Sequence, residues 1–184
     1  GYFAIAPALF DRYQKNLELG YSASDLELAI AARSKISDDH ALLDIAAAVD
    51  FAAAHGEVSV VGFCWGGTLA YLAAVKLPMI NSAVGYYGAG IPDISNLVPK
   101  VPVLLHFGEN DHSIPLEKVE IVKTREPAVK IFIYPAGHGF NCETRASYDA
   151  EAASQAFSRT LEFLSNPYAQ IMKLSFKYSD TLGN

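Results

Sequence analysis

Three residues of this sequence have the types and surroundings that nucleophilic catalysis needs: Cys64, Asp111 and His138. Cys64 stands in Val60-Val61-Gly62-Phe63-Cys64-Trp65-Gly66-Gly67, a Gly-x-nucleophile-x-Gly pattern with Cys where Ser is usual. A nucleophile in that pattern must sit on a very sharp strand-to-helix turn, so that its side chain clears the sheet. The turn strains the backbone and crowds the positions two before and two after it. Glycine is therefore expected to be required at 62 and 66. The N–H of Trp65 then points into the site as an oxyanion donor. The positive end of the helix that starts there favours an oxyanion and a thiolate alike. Alone, a cysteine in a glycine-rich turn also suits a buried structural thiol. A strand before it, a helix after it, and an acid and a histidine further along favour chemistry.

The acid comes from His106-Phe107-Gly108-Glu109-Asn110-Asp111-His112-Ser113-Ile114-Pro115, where a strand ends at Phe107 and the chain turns at Gly108. Asp111 is preferred by position over Glu109; a carboxylate there can accept from a histidine and hold its tautomer. His138, flanked by Gly137 and Gly139 just past the last strand, is the base. The order nucleophile, acid, base is the one α/β-hydrolases use. His40 and His55 fall at helix ends, His106 lies inside a strand, and His112 points away from its neighbour. No two histidines have metal-ligand spacing, so no metal site is expected. Cys142 reads as an inert small side chain in preference to a resolving thiol.

The elements that must position these groups alternate. Short apolar runs at Tyr2–Ala6, Val58–Phe63, Ser82–Tyr87, Val101–Phe107 and Val129–Tyr134 read as strands covered on both faces. Amphipathic stretches at Ser24–Ile36, Asp39–His55, Thr68–Lys76, Leu116–Thr124 and Ser147–Leu164 read as helices. The alternation predicts an α/β domain, 1–165, with a doubly wound, mostly parallel sheet and helices on both faces; 166–184 form a tail of no assigned role. Cys64, Asp111 and His138 each follow a strand, at the carboxyl ends where open α/β sheets bind ligands.

The bulk properties narrow the partners. A formal net charge of −6, with scattered basic residues, argues against nucleic acid and anionic membrane. The apolar stretch from Val58 to Val75 is interrupted by Ser59, Gly62, Gly66, Gly67 and Thr68 and is no membrane span. Two distant cysteines fit a reducing compartment, so a cytoplasmic location is expected. No cofactor is expected; the partner is a small-molecule substrate, and the assembly a monomer or homodimer. The chain begins at Gly1, without Met, inside a strand-like run, which suggests a piece of a longer protein.

These residues resemble the dienelactone hydrolase (carboxymethylenebutenolidase) family. The resemblance is carried by Gly1-Tyr2 through Ala6-Pro7-Ala8-Leu9-Phe10, the cysteine elbow, Ala83-Val84-Gly85-Tyr86-Tyr87-Gly88, Gly108 to Asp111, and Gly137-His138-Gly139-Phe140. It implies an α/β-hydrolase fold lacking its N-terminal strands, and a cysteine hydrolase of small lactones or esters working through a thioester. Arg12 matches a family arginine that binds the substrate carboxylate, and Tyr86 and Phe140 are expected to line the substrate site. Cys142 replaces the family's second substrate arginine, with Arg145 three residues on. Other acyl hydrolases, such as thioesterases and carboxylesterases, share the same triad features. A non-catalytic binding protein of this fold would show no thiol-dependent turnover. A redox protein using Cys64 and Cys142 would show a reversible disulfide.

Overall fold

The structure, a computed structural model, describes residues 1–167, so the expected tail falls almost wholly outside the described residues. The chain forms two compact units, Gly1–Val58 and the remainder from Ser59.

In the first unit a 3-10 turn at Leu9–Arg12 precedes helices α1 (Ala23–Arg33) and α2 (Asp38–Ala53). Ser22 and Asp25 close a capping box on α1, and the Ser37 hydroxyl accepts from the His40 N–H at the start of α2. α2 buries Ala41, Leu42, Ile45 and Val49, the stripe its periodicity predicts. α1 buries only Ala32, while Leu26 and Leu28 are exposed. At 100° per residue those two leucines lie on opposite sides of the helix and make no common face. The expected strand Tyr2–Ala6 is absent; the segment is irregular. A strand exists through its ladder to a neighbour, and this unit contains no described strand to pair with it.

The second unit is a parallel α/β sheet. Strands β1 (Ser59–Phe63), β2 (Ser82–Tyr86), β3 (Val103–Gly108) and β4 (Lys130–Tyr134) pair in chain order, with Gly62 beside Gly85 and Phe63 beside Tyr86. β2 and β3 are buried along their whole length, which explains their unbroken apolar sequences. The connections are α3 (Trp65–Lys76), the short α4 (Ile91–Ile94) and α5 (Leu116–Arg125); α6 (Ala150–Ser165) follows β4.

Helices cover both faces. On one, a Cβ on Gly85 would lie 3.0 Å from the Gly67 carbonyl oxygen of α3. On the other, Tyr86 reaches α6 through a 2.7 Å hydrogen bond to Thr160. α3 starts at Trp65, three residues before the expected start, because the glycine pair forms its first turn. α6 starts at Ala150, three residues after it, because Asp149 is the N-cap and accepts from the Ala152 N–H at 2.9 Å.

Candidate active site

Cys64 occupies the turn between β1 and α3 with φ 54 and ψ −117, a conformation that non-glycine residues rarely adopt. Its N–H donates to the Tyr86 carbonyl at 3.0 Å, and its own carbonyl accepts from the Gly67 N–H at 2.9 Å. The backbone is thus fixed on both sides and the side chain stands exposed at the carboxyl end of the sheet.

The glycine requirement differs from the expected one. A Cβ on Gly62 would lie 1.9 Å from the Gly66 carbonyl oxygen, and one on Gly67 would lie 2.6 Å from the Tyr86 carbonyl oxygen. A Cβ on Gly66 meets nothing within 4 Å. The crowding comes from Gly66's carbonyl, which any residue carries, so positions 62 and 67 are the ones that must be glycine. Gly62→Ala therefore destabilises by about 3 kcal/mol or more, because backbone atoms must move. Gly66→Ala leaves stability unchanged or raises it by about 0.5–1 kcal/mol, since alanine suits a helix. Urea midpoints of the two variants check this contrast.

One imidazole joins the other two groups. His138 Nε2 lies 3.2 Å from Cys64 Sγ, and His138 Nδ1 lies 2.7 Å from Asp111 Oδ2. Asp111 is 2% exposed, and its second oxygen, Oδ1, accepts from the Ser113 N–H at 2.8 Å. Glu109 and His112 are both exposed, which separates Asp111 from its rivals. The acid and histidine loops are tied together: the Asn110 N–H donates to the Ala136 carbonyl at 3.0 Å. A Cβ on Gly108 would strike that same carbonyl oxygen at 2.3 Å.

The electrostatics favour an ion pair. The Asp111 hydrogen bond, with the Cys64 bond behind it, raises His138 to about 9. The His138 hydrogen bond holds the Cys64 thiol below its ordinary value, helped by the Trp65 backbone N–H and the Arg145 charge. Both shifts run toward a thiolate paired with an imidazolium, and burial of the sulfur works against them.

Two residues named only in passing in the sequence analysis stand at the site. Tyr87 has φ 39, and its N–H donates to the His106 carbonyl at 2.7 Å. Its ring lies 5.1 Å from the His138 ring and 5.3 Å from that of Phe140. Arg145 lies over Gly139, where a Cβ would stand 2.6 Å from its Nη1; Gly139 has φ +79. The duplicated tyrosine and the arginine three residues after Cys142 were their signals in the sequence.

The remaining expected residues are placed as follows. Tyr86 and Phe140 are buried, at 1% and 0% exposure, and line the underside of the site through ring contacts with Tyr87. Arg12 lies in the first unit, where Nε and Nη2 donate to the Asp44 carboxylate at 2.6 and 2.9 Å. A role with a substrate carboxylate requires it to exchange that partner. His106 is fully buried, and burial lowers its pKa to about 3, so it stays neutral. Cys142 is half-buried, its sulfur 3.3 Å from the Thr144 hydroxyl. Among the described residues no group of His, Cys, Asp and Glu could hold a metal, and no helix is long and apolar enough to cross a membrane.

Known proteins resemble this chain in sequence and fold. The model of the dienelactone hydrolase family matches residues 1–167. A Synechocystis protein assigned as a carboxymethylenebutenolidase is 36% identical in an alignment that covers 86% of this chain and 72% of that protein. Carboxymethylenebutenolidase 1 of Cupriavidus pinatubonensis is 32% identical, over 89% of this chain and 74% of its own. A crystal structure from Klebsiella pneumoniae, assigned as a dienelactone hydrolase, superposes with a TM-score of 0.74 at 30% identity, covering 86% of this chain and 72% of that one. An esterase of Pyrococcus furiosus, at 18% identity and a TM-score of 0.55 over 69% of this chain and 62% of its own, shares the fold. With its parallel sheet and these relatives, the chain belongs to the dienelactone hydrolase family, a hydrolase of small molecules built on the α/β-hydrolase fold.

Proposed function

We propose that this protein hydrolyses a small lactone or ester through Cys64 as nucleophile and a thioester on its sulfur. The observation that carries the reading is one imidazole holding both sulfur and buried carboxylate, at 3.2 and 2.7 Å. The Cys64 thiolate attacks the substrate carbonyl carbon, and the Trp65 N–H stabilises the oxyanion that forms. As the tetrahedral adduct collapses, the C–O bond breaks and protonated His138 gives its proton to the departing oxygen. His138, now neutral, takes a proton from water as that water attacks the thioester. The sulfur leaves as thiolate, and the ion pair is restored. Asp111 keeps the imidazole oriented and stabilises its charge throughout.

The test is to trap the intermediate. The chain is mixed with an activated aryl ester or with a small carboxylated lactone, quenched in acid and analysed by peptide mass. An acyl mass increment on the Cys64 peptide, removed by neutral hydroxylamine, is expected. Protein alkylated at Cys64 beforehand shows neither increment nor turnover. Undiminished turnover by the alkylated protein contradicts the scheme. The ratio of the two substrates' kcat/KM separates a lactone hydrolase from a general carboxylesterase.

A further inference from the structure

Beneath the site lies a buried chain of hydrogen bonds that the proposed chemistry does not use. The Tyr86 hydroxyl lies 2.7 Å from Thr160 Oγ1, which lies 3.0 Å from His106 Nε2; His106 Nδ1 lies 2.8 Å from the Tyr134 hydroxyl. The four residues come from β2, α6, β3 and β4 and are at most 4% exposed. Apolar side chains would fill this space without the desolvation cost of four buried polar groups.

What distinguishes these residues is what their backbones hold. The Tyr86 carbonyl accepts from the Cys64 N–H at 3.0 Å. The His106 carbonyl accepts from the N–H of Tyr87, the residue whose ring packs on His138. The Tyr134 carbonyl accepts from the Glu109 and Ala136 N–H groups, both at 2.7 Å, where the loops bearing Asp111 and His138 begin. Each strand residue in the chain thus anchors one wall of the site, and Thr160 joins β2 to β3 at their carboxyl ends.

We propose that Thr160 is a positioning residue, whose hydroxyl locks these strand ends together and so sets the distance between the Cys64 sulfur and the His138 imidazole. Neutral His106 offers one donor and one acceptor, and a threonine hydroxyl can complement it while also meeting Tyr86. Valine has the same shape and can do neither. The proposal rests on the thiol–imidazole reading of the site, but its main readout needs no substrate.

Thr160→Val and Thr160→Ser in the full chain test it by the pH dependence of Cys64 alkylation with iodoacetamide, followed on the Cys64 peptide. Thr160→Val is expected to raise the alkylation midpoint by about one pH unit, as a charge-assisted hydrogen bond lengthens. Its kcat falls about 10- to 100-fold with KM within about twofold. Thr160→Ser restores both. An unmoved alkylation profile in Thr160→Val, whatever its kcat or melting temperature, overturns the proposal, as does a serine variant as defective as valine. If the valine variant does not fold, Tyr86→Phe removes one link and must shift the profile the same way; no shift overturns it equally. Turnover by Cys64→Ala would sink the cysteine-nucleophile reading alone, since alkylation reports sulfur–imidazole geometry directly.

Discussion

Cys64→Ala lowers kcat for a small ester or lactone by at least about 10⁴-fold, with KM changed no more than a few-fold. The size follows from how the three groups act. Without the sulfur there is no nucleophile to pair with His138, and Asp111 then orients an idle imidazole, so removing the first member forfeits most of the set's contribution. What survives is binding and the oxyanion donor. The fold survives too: alanine accepts the strained φ of 54 at least as well as cysteine, and the backbone bonds to Tyr86 and Gly67 involve no side chain. An unchanged urea midpoint therefore accompanies the loss. Cys142→Ala, by contrast, keeps kcat within about twofold, because the sulfur it removes faces Thr144 and takes no part in the acyl transfer. Steady-state kinetics on the two variants decide the matter. Wild-type turnover by Cys64→Ala, or equal loss in Cys142→Ala, would exclude the proposed nucleophile.

That Cys64, Asp111 and His138 come together was legible in the sequence because the signals are local. A nucleophile elbow needs glycine within three residues of the cysteine, and a histidine between glycines after a strand needs no tertiary information to stand out. The candidate acid stood out by position, and burial then separates Asp111 from the exposed Glu109. Errors arose where the outcome depends on a distant partner. Tyr2–Ala6 has a strand's composition but no described strand beside it in its unit, and composition does not supply a ladder. Gly66 has a glycine's place in the motif, yet the steric demand falls on Gly67, because the Tyr86 carbonyl comes from another strand. Tyr86 and Tyr87 stand together in one motif, and only the fold shows that the Tyr86 hydroxyl meets Thr160, 74 residues away. The ring that does reach His138 belongs to the next residue, Tyr87, turned by its positive φ.

Asp111→Asn lowers kcat by about 10³- to 10⁴-fold and moves the alkaline limb of kcat/KM from near pH 9 down towards pH 7. The sign comes from the hydrogen bond. A carboxylate on Nδ1 favours the charged imidazolium, so His138 is raised, and its proton is held below about pH 9 and lost above it. Acylation needs that proton for the departing oxygen, so the rate falls as pH climbs through the His138 value. The acidic limb lies where the sulfur gains its proton, below the ordinary thiol value and set chiefly by the same imidazole; the two limbs belong to the pair jointly. Asparagine breaks this in a specific way. Asp111 accepts twice, from His138 at one oxygen and from the Ser113 N–H at the other. Asparagine has one oxygen. If it keeps Ser113, its amide N–H faces Nδ1, and the imidazole proton is forced onto Nε2, where it blocks acceptance from the thiol. If it turns its oxygen to Nδ1, the Ser113 N–H loses its partner and the loop holding the acid loosens. Either way the thiolate population falls, and alkylation of Cys64 shifts to higher pH along with the narrowed rate profile. An alkaline limb still near pH 9 in Asp111→Asn would mean that some other group holds the His138 proton.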